Sequence, residues 1–205
     1  MPTPIKVYLG GTPLFQQVAQ FVGAKILKTG QITTYATDDD GDLQNGRDVD
    51  FFTLPLNNPF GNTNRFTALN GSQTYTNDII IDWSTYESNT VLGYYRGSIN
   101  TNRSWADSLT WASGLNIAGY TNWKLTNIKE LLNLGNYSFG GGVLTYSPIN
   151  LVSNSFWSST TVNNNTASAY SMSGGLGAIS TSSGKGSLLR TLACRNFTVT
   201  GTLLT

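Results

Sequence analysis

Read from the amino end, apolar positions first gather at Ile5 to Leu9, a strand-length run closed by Gly10-Gly11. Leu14, Phe15, Val18, Ala19 and Val22 then recur at helical spacing, with Gln16, Gln17 and Gln20 on the opposite side. Residues 1–28 therefore read as a separate strand–helix piece. It suits either packing on the main core or docking to a neighbouring chain. Residues 29–65 are rich in Gly and Asn and predict mostly loop, with short strands over Ile32–Tyr35 and Val49–Leu54. From Arg65 to Trp83 the pattern predicts a hairpin. Asn70-Gly71 is its turn signal and Ile79-Ile80-Ile81 its β-branched strand.

Two helices follow. In SWADSLTWASGLN, Ser104 is placed to cap, Asp107 stands three residues on, and Trp105, Leu109 and Ala112 share a face that Gly114 ends. In TNIKELLNLGNY, Asn127 is placed to cap with Glu130 as its partner. Ile128, Leu131, Leu132 and Leu134 are apolar, and Gly135 marks the stop. Beyond Tyr137 the pattern returns to short strands. Phe156-Trp157 and LLRTLACRNFTVTG read as core strands, with polar loops expected over 158–168 and 173–187. Strands, then two helices, then strands and loops give an α+β class and not a parallel α/β sheet.

The stretch FWSSTTVNNNTASAYSMSGG sets two large aromatics against a long run of small polar residues. A linker has no use for Phe156 and Trp157, and three consecutive asparagines do not suit a buried strand. The reading is that the aromatics anchor a frame and the polar run is displayed by it.

Composition narrows the function. The chain has 205 residues, 39% hydrophobic and 12% aromatic, enough for a sizeable core. Only 11% are charged, against about 25% in ordinary soluble domains, so the surface is built from Asn, Thr, Ser and Gly, as on extracellular and virion proteins. With a net charge of +1 and no basic patch, nucleic acid is not an expected partner. No apolar run nears the roughly 20 residues of a membrane span, so no membrane insertion is expected. The amino end lacks the pattern of a secretory signal, as expected of a phage protein assembled in the cytoplasm and released by lysis, or equally of an exported protein whose signal has been removed. There is no histidine and a single cysteine, Cys194, so zinc sites and histidine-dependent nucleophiles are excluded. Glu87 and Glu130 are the only glutamates and Glu130 is assigned to a cap, so no acid/base pair stands out. The chain reads as non-enzymatic, with no required cofactor.

The phrases TGQITTYATDDDGDLQNG, RFT, TYTNDIIIDW, WADSLTWASGLNIAGYTNWKLTNIKELLNL, FWSSTT, ASAYSM and LACR, in that order, resemble the DUF1566 family, also called the Lcl C-terminal domain. GYTNWKLTNIKEL is similar to the family's Gly-Tyr-Thr-Asp-Trp-Arg-Leu-Pro-Asn-x-x-Glu-Leu signature, and the likeness covers roughly residues 29–197. It implies a C-type-lectin-like fold related to the formylglycine-generating enzyme fold, with two helices, short antiparallel strands and long loops. Residues 1–28 are then a small amino-terminal segment and 29–205 the domain. Members occur on bacterial surfaces and in phages, and some proteins of this fold are hypervariable receptor-binding products of retroelements. Relatives often carry a second cysteine in the first helix, so Cys194 here lacks that partner; Thr126 and Lys124 replace the usual proline and arginine.

On this resemblance residues 160–185 are the exposed surface. The expected ligand contacts are Thr161, Asn163, Asn164, Asn165, Ser168, Tyr170, Ser180, Ser182 and Lys185, with Arg96 and Arg103 as further contacts. Tyr, Ser, Gly and Asn are the chemistry of adaptable recognition surfaces. The expected function is a virion receptor-binding or host-attachment protein that binds a host-surface glycan or protein. A structural head or tail decoration is the alternative, as is a bacterial surface or periplasmic domain. Residues 1–28 are expected to meet other virion proteins, and analogy with phage appendages adds a homotrimer. Asp38, Asp40 and Asp42 around Gly41 offer oxygen ligands for Ca²⁺. They equally suit an acidic turn whose carboxylates take local backbone N–H groups. Of the tryptophans, most read as core, with Trp111 the candidate for partial exposure.

Overall fold

The computed structural model describes residues 8–9, 12–13, 33–43, 52–54, 57–97, 99–136, 148–149, 154–175 and 178–205. The helix expected over Leu14–Val22 lies outside them. Before it, β1 (Tyr8–Leu9) pairs antiparallel with β2 (Thr12–Pro13). A single-turn helix α1 (Asp40–Leu43) follows. The strand expected at Ile32–Tyr35 does not form over its described part, Thr33–Tyr35, which is irregular and exposed. Thr53 makes only an isolated bridge to Asn64.

The domain is a mostly β, α+β fold built on two open sheets. The first runs β13 (Leu203–Leu204), β12 (Ala193–Thr200), β5 (Thr90–Tyr95), β4 (Ile79–Glu87), β3 (Phe66–Thr67), and β7 (Lys124–Leu125) also pairs with β12. The second runs β10 (Ile179–Gly184), β9 (Asn165–Ser173), β8 (Ser155–Val162), β11 (Leu189–Arg190), β6 (Asn102–Arg103), with β11 parallel to β8. The longer helices, α2 (Trp105–Ser113) and α3 (Ile128–Leu132), come between the strands in chain order.

The hairpin expected at 65–83 is β3–β4, registered Phe66 to Asp82. Asn70-Gly71 makes its tight turn within a longer connection, with Gly71 at a φ of 80° that glycine adopts freely. The Ile79-Ile80-Ile81 run is fully buried on both faces of β4. Ile80 joins a core cluster with Tyr94, Leu131, Phe156, Met172 and Cys194, whereas Ile79 and Ile81 join one with Ala112, Trp123, Trp157 and Phe197. Each longer helix thus seals a different cluster: α3 supplies Leu131 to the first, α2 supplies Ala112 to the second. On β5, Gly93 leaves room for the Phe197 ring; a Cβ there would stand 2.4 Å from it.

Both helix starts form as the sequence predicts, with one difference each. Ser104 Oγ accepts the Asp107 N–H at 3.2 Å, but the short Asp107 carboxylate takes the Ser104 hydroxyl at 2.6 Å and not the backbone N–H. Asn127 accepts from Lys129 and Glu130 N–H, and Glu130 Oε2 accepts the Asn127 N–H at 2.7 Å, a complete capping box. α3 nevertheless stops at Leu132, before the expected Gly135.

The expectation of polar loops over 158–168 and 173–187 is corrected. β8 and β9 occupy most of the first stretch and β10 the middle of the second, as an antiparallel set. Polar residues hold buried strand positions because their hydroxyls are bonded to one another: Ser171 and Ser183 Oγ lie 2.7 Å apart, and Ser183 reaches Ser180 at 3.4 Å.

Candidate binding surface

Phe156 and Trp157 are completely buried, on opposite faces of β8 and in different core clusters. Trp157 Nε1 donates to the Arg103 carbonyl at 3.0 Å, which ties β8 to β6. Trp105 Nε1 donates to the Ser158 carbonyl at 2.9 Å, which ties β8 to α2. Ser159 N–H donates to the Thr126 carbonyl at 2.8 Å. The strand is therefore held along its length before it reaches the polar residues.

From this root the β8–β9 hairpin turns between Val162 and Asn165, which are paired. Residues Asn163 to Ala167 are all exposed. Asn165 shapes the turn: its Oδ1 accepts the Ala167 N–H at 3.2 Å and its Nδ2 donates to Ser168 Oγ at 3.1 Å. Lys185 joins the tip because Gly184 pairs with Ser168 and the Lys185 N–H donates to the Ala167 carbonyl at 3.0 Å.

The structure thus gathers Asn163, Asn164, Asn165 and Lys185 at one end of the sheet. Thr161, half-buried, lies one step back along β8, opposite Ala169. Ser168 is 5% exposed with its hydroxyl engaged, so it belongs to the frame. Tyr170 is half-buried on β9, and Ser180 pairs with Ser171 toward the other end of the strands. The Ser182 side chain lies outside the described residues. Arg96 and Arg103 are occupied within the chain. Arg96 Nε donates to Asp78 Oδ1 at 3.0 Å and its Nη1 to the Pro148 carbonyl. The Arg103 guanidinium covers the Trp111 ring at 4.4 Å and donates to Thr191 Oγ1.

The acidic turn resolves locally. Asp39 Oδ2 accepts the Tyr35 and Ala36 N–H groups, and Asp42 Oδ2 accepts the Asp38 N–H at 3.1 Å. The Asp40 side chain lies outside the described residues. Among the described residues no three His, Cys, Asp or Glu side chains gather as a metal-holding group.

Two polar groupings, one fully buried and one reaching the surface, escape the sequence pattern. Arg65 and Asp82, both with fully buried side chains, form a bidentate pair with bonds of 2.9 and 2.8 Å. Arg65 also donates to the Asn133 carbonyl at 2.7 Å, and Asn133 Nδ2 donates to Asp82 Oδ2 at 2.9 Å, which locks the end of α3 to β3 and β4. The signal in the sequence is Asp82 itself, a charge inside the apolar run Ile79–Trp83. The second grouping is Cys194, Glu130 and Lys124. The free, buried Cys194 thiol donates to Glu130 Oε2 at 3.3 Å, and Lys124 pairs with Glu130 Oε1. Burial first, then the Glu130 charge, pushes the Cys194 thiol well above its ordinary range, a thiol that is inert and not nucleophilic. Trp83, Trp123 and Trp157 are core, and Trp105 and Trp111 are half-buried.

The family model of the Lcl C-terminal domain matches residues 73–193, which include both longer helices and the tip. The chain belongs to the Lcl C-terminal domain family. No curated protein matches the chain. The matched span begins just before β4 and ends at the first residue of β12, so the family's defining segment contains the two helices and the whole β8–β10 set.

Proposed function

We propose that the chain is a non-enzymatic binding module, a virion protein that attaches to the host surface through the β8–β9 tip. The observation that carries this is the contrast along one strand pair. Phe156 and Trp157 have no exposure, while every residue from Asn163 to Ala167 is exposed. Side chains at such a tip change without disturbing the core, typically within about 0.5 kcal/mol. The absence of histidine and the inert Cys194 support a binding and not a catalytic role. The low charge content supports work outside a cell. Family membership and two helices set against open, largely antiparallel sheets support the finer fold assignment, a C-type-lectin-like arrangement. Residues 1–28 serve assembly with other virion proteins, as a homotrimer.

The test replaces Asn163–Thr166 by Gly/Ser residues and measures adsorption of purified protein to host cells. Adsorption is expected to fall with the melting temperature unchanged. Undiminished adsorption sinks the attachment reading and favours a structural decoration of the virion.

A further inference from the structure

We infer that Trp105 is a positioning residue for the tip, and that Lys185 serves as its clamp and not as a ligand contact. This deepens, and rests on, the reading of the tip as the attachment surface. Asn165 shapes the exposed turn from within, through its bonds to Ala167 and Ser168. A third strand fixes it from outside. Gly184 pairs with Ser168, and the Lys185 N–H donates to the Ala167 carbonyl at 3.0 Å. Lys185 lies just past the end of β10, at a turn closed by the Ser187 N–H on the Gly184 carbonyl. Strand ends of this kind fray first unless another element holds them.

Trp105 holds this one. The first N–H groups of a helix have no partner inside the helix. Trp105, the first residue of α2, gives its N–H to the Lys185 carbonyl at 3.0 Å. Its indole Nε1 donates to the Ser158 carbonyl at 2.9 Å. One residue thus ties the last bond of the tip to the middle of β8. The Lys185 ammonium stands 4.0 Å from the centre of the same indole, so its side chain is laid on the ring whose main chain bonds its own. The same geometry gives the ammonium a partner other than a ligand. Ser158 precedes Asn163 by five residues, roughly 16 Å along an extended strand. A ring anchored at Ser158 draws the Lys185 side chain back toward the root of the hairpin. A surface whose shape is set beforehand gives up less freedom on binding, so a clamp that touches no ligand still acts on affinity.

Amide hydrogen exchange in the full chain and adsorption to host cells test this, both measured well below the melting temperature. Trp105→Phe keeps a ring under Lys185 and loses the Ser158 bond. Trp105→Leu loses the ring as well. Lys185→Met keeps the stem and the backbone bonds and loses only the charge. Relative to the core amides of β4 and β12, the Lys185 N–H is expected to exchange about tenfold faster in Trp105→Phe and faster again in Trp105→Leu. Adsorption is expected to fall in the same order, and Lys185→Met is expected to adsorb like the parent. Should Trp105→Leu fail to fold, Trp105→Phe alone carries the test. Parental exchange at Lys185 in the Trp105 variants overturns the inference, as does parental adsorption in them while the Gly/Ser tip fails to adsorb. Lost adsorption with Lys185 still protected would mean that Trp105 touches the ligand. Lost adsorption in Lys185→Met would mean that the ammonium does, and either result overturns the inference. Parental adsorption of the Gly/Ser tip overturns the attachment reading itself.

Discussion

At the scale of single residues, Arg65 and Asp82 decide the most. Two charges with no exposure are costly to desolvate, and their bidentate bonds offset that cost only while both are present. Asp82→Ala removes the carboxylate that the buried Arg65 guanidinium bonds twice, and it also orphans the Asn133 amide and the Ser84 N–H that Asp82 accepts. A loss of about 3–5 kcal/mol is expected in urea unfolding. Replacing both partners, Arg65→Met with Asp82→Leu, is expected to recover much of it, because an apolar pair carries no desolvation cost. Recovery stays incomplete, since the Asn133 carbonyl and amide still lack partners. A single substitution costing under about 1 kcal/mol would show that water reaches the pair.

At the scale of elements, the helix starts were legible and the carboxy-terminal strands were not, for a physical reason. A cap is a local device: Ser104 and Asn127 satisfy N–H groups two and three residues ahead, so the sequence neighbours contain the whole interaction. Asn127 accepts two such groups where Ser104 accepts one. Asn127→Ala is expected to cost about 1–2 kcal/mol and Ser104→Ala about 1 kcal/mol in thermal melts. The reverse order would contradict the box geometry. Strands β9 and β10 hide because a pattern of apolar positions cannot register buried hydroxyls. Ser168 and Ser171 occupy positions that valine would hold in an ordinary sheet, and the Ser171–Ser183 bond crosses strands that the sequence does not show to be adjacent. The tip suffered the same blur. The sequence marked Asn163–Asn165 and Lys185 as displayed, yet it also marked Ser168, which the structure buries. Trp105, brought to Lys185 from another element, has no signal of its own beyond being a tryptophan.

At the scale of the whole molecule, one junction ties both sheet and helix together and carries a pH dependence. Cys194 on β12 pairs with Tyr94 on β5, and both contact α3: the thiol donates to the Glu130 carboxylate and the Tyr94 hydroxyl to the Glu130 carbonyl. Burial, more than the neighbouring acids, raises both groups well above their ordinary values of 9.0 and 10.0. Each group is neutral when protonated, so the folded state holds its proton where the unfolded chain has released it. The contribution of each is therefore fully present below its unfolded value and is lost as pH rises toward its folded one. Between roughly pH 9 and 10 the thiol acts first, and unfolding free energy is expected to fall by up to about 1.4 kcal/mol per pH unit. Above roughly pH 10 the tyrosine adds a similar slope. Cys194→Ala is expected to flatten the curve in the lower window and leave the tyrosine's contribution in place. Urea unfolding at half-unit steps from pH 7 to pH 10.5 measures both curves. Parallel curves for parent and variant through the lower window would mean that the thiol titrates alike in the folded and unfolded chain, and that the junction is open to water.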